Sequence, residues 1–346
     1  MTRSLLPVLR PAEESLPPLL ARWVGAALGG ALPLEANATC GDCAMTSGSG
    51  TTFDPRTKCC TFLPTIPNFG VGGALRAGVV SVKLRVRAGR ELSPLGLVAD
   101  PGEVARRTEV SAFGRDASLA CPHYASGTGA CGVWAWREST CATWFCKHTR
   151  GAVAKAMWNR VHALAAALER AVAWRCAVEL GVPAEGLARA APLRSVHGSR
   201  ADLEAGGDPR SLWGRWATDV EGYFVACAEL AEAMPAEEAL AAGGSEVSAL
   251  AVIARRALDV EMDESLPPRV VMGAAQVLAM GRESVRVQGY SHLDPLEVPR
   301  ALFDRLHCFD GREVADALRA ASDEAGEEVP AGAVRMLLDF GVLRGG

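Results

Sequence analysis

The spacing of apolar residues predicts a long helix in the middle of the chain. From about Gly151 to Leu180, apolar side chains recur every three or four residues, which places them on one face of a helix. The members of this face are Met157, Val161, Leu164, Leu168 and Val172. A shorter apolar helix is predicted over residues 16–30, where two prolines occupy the first turn and two glycines end the helix.

Residues 79–87 alternate between apolar and polar side chains, and this period of two predicts a half-buried strand. Its apolar residues would face the core, whereas Ser81, Lys83, Arg85 and Arg87 would face outward. A basic outer face could bind an anionic partner, but charges at alternate positions are more often a solvated surface. We therefore expect this strand to contribute packing rather than binding.

The second half of the chain has a mainly helical pattern. Periodic segments at 223–234 and 248–258 predict two helices, and glycine pairs at 206–207 and 243–244 mark breaks. Three short helices are predicted near the C-terminus, at Ala301–Leu306, Arg312–Ala321 and Ala331–Phe340. This layout resembles a small winged-helix module, although three short helices also serve many other folds.

An irregular region rich in Gly, Ser, Thr and Pro runs from Cys40 to Asn68. Its segment Met45–Phe53 has too few apolar side chains to hold one conformation by itself. Two glycine clusters further on, at 70–73 and 127–132, are interpreted as flexible turns rather than phosphate-binding loops. We therefore expect this part of the chain to be ordered by something other than its own apolar packing.

Composition places the chain among ordinary globular proteins. It has 346 residues, 49% of them hydrophobic, and can therefore bury a core without disulfide support. The net charge of -4 argues against nucleic acid as a partner.

Apolar runs are shorter than the roughly 20 residues that cross a bilayer, so no membrane partner is expected either. Acidic residues before the first apolar run disfavour a signal peptide, and the expected location is the reducing cytoplasm. Four lysines against 32 arginines, with abundant alanine, are typical of a bacterium with a GC-rich genome.

Cysteines give the strongest indication of function, because eight of the eleven lie within 107 residues. These eight are Cys40, Cys43, Cys59, Cys60, Cys121, Cys131, Cys141 and Cys146. Four thiolates satisfy one tetrahedral zinc ion or one cubane iron-sulfur cluster, so eight can serve two sites. We expect all eight to be metal ligands. Iron-sulfur is slightly favoured over zinc, because the number of thiols exceeds one zinc site and aromatic residues that could form a dry shell lie among them.

The order of these cysteines resembles that of the zinc- or iron-chelating cysteine-cluster proteins of the YkgJ type. The matching text is the doublet Cys59-Cys60, then Cys121-Pro122-His123-Tyr124, Cys131-Gly132-Val133-Trp134 and Arg137-Glu138-Ser139-Thr140-Cys141. The resemblance covers about residues 40–150 and implies a metal-binding module there. Glu138 stands where that family has proline, and a long insertion separates the doublet from Cys121. Flagellin lysine methylases look similar in the same region, but the chain has no separate cofactor-binding motif to support methyl transfer.

Several alternatives remain open at the sequence level. In an exported protein the eight cysteines would form four disulfides, and in a thiol oxidoreductase Cys40 and Cys43 would be the redox pair. His123 and His148 could each replace a thiolate ligand, but satisfied or exposed histidines are more common. The three remaining cysteines are Cys176, Cys227 and Cys308, and their apolar surroundings predict buried small side chains.

The sequence therefore predicts an α+β protein in three parts. Residues 1–150 would form an irregular cysteine-rich metal-binding module with a few strands, residues 151–290 a mainly helical domain, and residues 291–346 a small winged-helix-like unit. The predicted function is binding of one or two iron-sulfur clusters or zinc ions, with a possible link to redox chemistry. The alternative is a non-catalytic scaffold stabilised by zinc. No catalytic residue, bound organic cofactor or protein partner can be named.

Overall fold

A computed structural model describes residues 16–33, 35, 43, 45–46, 53–89, 91–190 and 209–346. The chain divides into two compact units. Unit 1 comprises the described residues within Met1–Leu32, Thr39–Trp144 and Arg160–Ala254. Unit 2 comprises those within Pro33–Ala38, Phe145–Asn159 and Arg255–Gly346. Each unit is thus assembled from separate stretches of the sequence, and the protein is a mixture of helices and small antiparallel sheets.

Helices dominate the first two thirds of the chain. Their bounds are α1 Pro18–Leu28, α2 Asn68–Arg76, α3 Val80–Ala88, α4 Pro101–Thr108, α5 Ser139–Thr143, α6 Gly151–Glu179, α7 Ala184–Ala190, α8 Pro209–Trp213, α9 Val220–Ala233, α10 Ala236–Ala242 and α11 Gly244–Met262. The helices predicted at 16–30, 151–180, 223–234 and 248–258 are confirmed as α1, α6, α9 and α11. Within the described ranges, no helix combines the length and the apolar character needed to span a membrane.

The strands of unit 1 are short. Ile66–Pro67 (β1), Leu92–Ser93 (β2) and Gly96–Leu97 (β3) form an antiparallel sheet in the order β1-β3-β2. Tyr124–Ala125 (β4) and Ala130–Cys131 (β5) form a separate hairpin. These sheets have two or three strands each, so the helices supply most of the core of this unit.

The prediction of a strand at 79–87 is wrong, because this segment forms α3. Val82 and Val86, one helical turn apart, are buried, whereas Leu84 between them is 63% exposed. Residues four apart lie on one face in a helix and also in a strand, so the alternating sequence is compatible with both structures. Tertiary packing decided between them. The glycine that follows α3 has φ +67° and ends the helix with a left-handed cap.

The glycine cluster at 70–73 lies within helix α2, so its interpretation as a flexible turn is wrong. A Cβ atom at Gly72 would collide with the carbonyl oxygen of Phe224 in α9, and one at Gly73 would collide with the indole of Trp136. These glycines therefore allow a helix and an indole ring to approach the α2 backbone closely. The cluster at 127–132 does contain a turn, since it links the two strands of the β4–β5 hairpin.

Asn68, the first residue of α2, is fully buried and connects several parts of unit 1. Its amide nitrogen donates to the carbonyl oxygens of Pro94 at 3.0 Å and Ala173 at 2.8 Å. Its side-chain oxygen accepts from the backbone N–H of Phe69. Since Ala173 lies on α6, this one amide joins the sheet region and two helices.

Unit 2 contains two small sheets that the sequence pattern did not predict. Its strands are β6 Arg269–Met272, β7 Gln276–Met280, β8 Ser284–Gln288, β9 Leu296–Pro299, β10 Arg312–Glu313 and β11 Leu343–Gly345. The sheet orders are β10-β6-β11 and β7-β8-β9. Of the helices predicted near the C-terminus, the last two are confirmed as α13 (Val314–Ala325) and α14 (Ala331–Asp339). The first is split into α12 (Arg300–Phe303) and a 3-10 turn at Leu306–Phe309. The likeness to a winged-helix module stays a prediction.

A candidate cysteine-ligated metal centre

Backbone hydrogen bonds in unit 1 connect the Cys59-Cys60 doublet to the next cysteine along the chain. The carbonyl of Asp54 accepts the N–H groups of Thr57 and Lys58, which forms a tight turn just before the doublet. The carbonyl of Cys60 then accepts the N–H of Cys121 at 2.7 Å. Two cysteine segments separated by sixty residues of sequence are therefore adjacent in space.

Cys121 and Cys131 lie near the two ends of the β4–β5 hairpin. The carbonyl of Cys121 accepts the N–H of Tyr124, and Tyr124 pairs with Cys131 across the hairpin. At the turn, Lys58 donates from Nζ to the carbonyl of Gly129 at 3.1 Å. The hairpin is thus connected to the segment that carries the doublet.

The short helix α5 holds Cys141, and Glu138 caps its N-terminus. The carboxylate of Glu138 accepts the N–H groups of Thr140 at 2.7 Å and Cys141 at 3.0 Å. The preceding residue, Arg137, stacks its guanidinium 3.4 Å from the ring centroid of Trp134 and donates to the carbonyl of Cys141. Glu138 therefore has a structural role as the N-terminal cap of this helix.

Backbone N–H groups donate to the sulfurs of three cysteines. The donor lies two residues after the cysteine each time: Met45 for Cys43, His123 for Cys121 and Val133 for Cys131. Such donors stabilise a thiolate and are one of the ways a protein tunes iron-sulfur clusters.

Burial keeps most of these thiols protonated when no cation is present. It raises the pKa of Cys121 to about 11 and also raises the pKa values of Cys43, Cys131 and Cys141. Cys59 is different, because a hydrogen bond from the Cys60 thiol lowers its pKa. A bound metal cation favours the deprotonated form of every thiol that it contacts.

The thiols of unit 1 also lie close enough to influence one another electrostatically. A charge on Cys59 raises the pKa values of Cys43, Cys131 and Cys141, and a charge on Cys121 raises that of Cys141. The cations that lower thiol pKa values in this group are Lys58, Arg85, Arg107 and Arg137. We call Cys43, Cys59, Cys60, Cys121, Cys131 and Cys141 the cysteine cluster.

Two of the eight predicted ligands are not in this cluster. Cys40 lies outside the described residues. Cys146 is half-buried in unit 2. The ten cysteines within the described ranges are all free thiols. In that same part of the chain, no three cluster sulfurs lie within 4.8 Å of one another.

Both candidate histidine ligands are held by other side chains. The Nδ1 atom of His123 lies 2.9 Å from the hydroxyl of Ser81, and its Nε2 atom lies 3.0 Å from Arg85. Arg85 can only donate, so Nε2 accepts and Nδ1 carries the proton. Burial, together with the charge of Arg85, lowers the pKa of His123 to about 4. In unit 2, His148 is buried and its Nδ1 atom lies 3.2 Å from the Tyr290 hydroxyl.

The sequence did not identify the arginines around the thiols as part of the site. The side chains of Arg85 and Arg107 are each only 11% exposed, so Arg85 is not part of the expected solvated surface. Arg107 donates to the carbonyl of Thr61, directly after the doublet. The basic residues were visible in the sequence, and a strand or a helix would each place Ser81 and Arg85 on one face, but only the tertiary structure turns that face toward His123.

The aromatic residues near the cysteines have different environments. Trp134 and Trp136 are half-buried, and Trp136 packs against α2 at Gly73. Trp144 is 49% exposed and makes an edge contact with Phe113, so it does not form part of a fully dry shell. The three cysteines outside the predicted site, Cys176, Cys227 and Cys308, are buried as expected.

No protein-family model, curated protein or solved structure matches this chain. The resemblance to cysteine-cluster proteins of the YkgJ type therefore stays a prediction. The case for a metal centre depends on the geometry of the thiols and of the groups around them.

Proposed function

We propose that unit 1 binds metal through the cysteine cluster, as one or two iron-sulfur clusters or zinc ions. The main support is the pattern of N–H donors, because backbone groups two residues further on are directed at the sulfurs of Cys43, Cys121 and Cys131. An ordinary buried thiol needs no such donors, since it packs as a small apolar group. Donors at three separate loops suit sulfurs that carry negative charge in the functional protein.

The charges around the cluster support the same proposal. Several thiolates around one centre carry more negative charge than a bound cation neutralises, and nearby cations offset the excess. Lys58, Arg85, Arg107 and Arg137 supply this positive charge. The side chains of Arg85 and Arg107 are largely withdrawn from solvent, so their effect is only weakly screened.

The number of clustered thiols favours an iron-sulfur cluster over a single zinc ion. One tetrahedral zinc ion takes four ligands, and the cysteine cluster has six described thiols. A cubane iron-sulfur cluster takes four of them and leaves two near by. When bound, it would supply one-electron redox chemistry, and the N–H donors and buried arginines of this chain would tune its potential.

The proposal is tested by purifying the full chain without air and measuring iron, acid-labile sulfide and zinc. We expect iron and sulfide together with visible charge-transfer absorbance. Cys131→Ser removes one proposed ligand and should lower the metal content to half or less of the wild-type value. Cys176→Ser is the matched control, because Cys176 is buried elsewhere in unit 1 and its thiol donates to the carbonyl of Cys227, a bond that a serine hydroxyl can keep.

Metal-free wild-type protein, or a Cys131→Ser variant with undiminished metal, would refute the proposal. A colourless protein that releases zinc when its thiols are modified, and that holds less zinc as Cys131→Ser, would instead support the second candidate, a zinc-stabilised scaffold. The segment 53–66 favours this candidate to some extent, because it contains no helix or strand before β1 and a metal would hold it in place.

A further inference from the structure

Unit 2 contains a second group of possible metal ligands, separate from the cysteine cluster. His307 and Cys308 are neighbours on the 3-10 turn Leu306–Phe309, and Glu324 lies in the last turn of helix α13. One ligand atom from each of the three lies within 4.8 Å of the other two. Among the residues that the structure describes, this is the one group of three His, Cys, Asp or Glu side chains with that property.

The three distances match those expected around tetrahedral zinc. Bonds of about 2.3 Å to sulfur and about 2.0–2.1 Å to nitrogen or oxygen place ligand atoms about 3.3 Å apart for N and O, and about 3.6 Å apart for pairs that include sulfur. The Nε2 atom of His307 lies 3.3 Å from Oε1 of Glu324. The sulfur of Cys308 lies 3.5 Å from the same oxygen and 3.6 Å from the same nitrogen. Little movement is needed to accept an ion.

The imidazole of His307 is oriented so that its Nε2 atom can ligate a metal. Its Nδ1 atom lies 3.1 Å from the backbone carbonyl of Asp304. A carbonyl can only accept, so Nδ1 carries the proton and the lone pair of a neutral ring is on Nε2. Donation of the other ring N–H to a backbone carbonyl is how proteins commonly orient a metal-ligating histidine.

The charge of the group suits a divalent cation. Cys308 now donates its proton to Glu324, and it would release that proton to solvent on binding a metal. A thiolate and a carboxylate then supply two negative charges. Cys308 has no exposed surface, so a substrate cannot reach it as it would a catalytic nucleophile. The side chains of His307 and Glu324 are 62% and 50% exposed, so an ion can enter from solvent.

We propose that unit 2 binds one zinc ion through Nε2 of His307, Sγ of Cys308 and Oε1 of Glu324, with water in the fourth position. Three protein ligands and one exchangeable water form an open zinc site. The ion would connect the 3-10 turn to the end of α13. This site is independent of the cysteine cluster and does not depend on the function proposed for unit 1.

The test is calorimetric titration of the full chain with Zn²⁺, and with Co²⁺ as a spectroscopic probe of thiolate ligation. The site variants are His307→Gln and Glu324→Gln. Their matched controls are His292→Gln and Glu313→Gln, which change exposed residues of the same unit. Both site variants alter side chains that are at least half exposed, so the fold should persist, and far-ultraviolet circular dichroism checks this.

We expect each site variant to lose one equivalent of zinc per chain, or to bind that equivalent more than about 100-fold more weakly. The controls should behave as the wild type. Iron and sulfide contents should be the same in all five proteins, which separates this site from the cysteine cluster. Zinc binding of unchanged stoichiometry and affinity in both site variants would overturn the proposal.

Discussion

Replacing Glu261 by glutamine should stabilise the protein at neutral and alkaline pH but hardly at all in weak acid. Glu261 lies near the end of helix α11 and is only 5% exposed. Its Oε2 atom is buried and has no hydrogen-bond partner in the described part of the chain. Burial raises the pKa of this carboxyl from 4.5 to about 7, Arg150 opposes the shift, and Glu35 and Asp339 add to it.

The magnitude follows from the two pKa values. A tenfold change in an ionisation constant corresponds to about 1.4 kcal/mol, so a rise from 4.5 to about 7 is equivalent to about 3 kcal/mol. The folded state binds this proton more tightly than the unfolded state does. Stability therefore falls as the pH rises from about 4.5 to about 7 and then levels off. Glutamine has no charge to bury, so the gain from Glu261→Gln should grow over the same interval to an upper limit of about 3 kcal/mol.

The assay is urea unfolding of the full chain at pH 5 and pH 8, with hydrogen exchange of strand β6 as a local probe of unit 2. Glu264→Gln is the control, since it removes the same charge from an exposed position three residues away. A gain that is equal at the two pH values would refute the reasoning. So would a control variant that shows the same pH dependence.

Two further predictions concern the packing of unit 1. Gly72→Ala should lower the free energy of unfolding by about 1–3 kcal/mol, because the added methyl group collides with the carbonyl of Phe224. In Gly25→Ala the methyl group meets no atom within 4 Å, so this control should be neutral or slightly stabilising. Thermal unfolding measures both. Asn68→Ala should cost about 1–3 kcal/mol in urea unfolding, because the carbonyls of Pro94 and Ala173 lose the Asn68 amide as a donor, although the Pro94 carbonyl keeps the Tyr223 hydroxyl. The exposed Asn159→Ala should cost less than about 0.5 kcal/mol. Equal effects within either pair would contradict the argument.

Much of the helical structure could be predicted from the sequence. The long helix α6 has an apolar face that recurs over eight turns, and few tertiary contacts can override so long a pattern. The short segment at 79–87 is different, because Val82 and Val86 fit both a period of two and a period near four. The strands of unit 2 were missed because they are only two to five residues long, and their burial depends on partners distant in sequence.

The candidate site shows the same division. The sequence drew attention to the clustered cysteines, and the structure places six of the eight in unit 1. It did not indicate that N–H groups two residues further on point at three of the sulfurs, or that Arg85 and Arg107 are buried beside them. These features depend on turn conformation and on contacts between distant segments, which residue spacing does not specify.

By itself, the sequence determined the long helices, the mixed α and β class and the concentration of thiols in one stretch, because these follow from composition and from local periodicity. Only the tertiary structure decided that 79–87 is a helix. It also decided that the glycines of α2 lie inside a helix, where they allow close packing. Only the tertiary structure also brought His307 and Cys308 beside Glu324, sixteen or more residues further along the chain. The physical reason is that local preference is weak in short segments, so burial against distant residues determines both their conformation and the direction of their side chains.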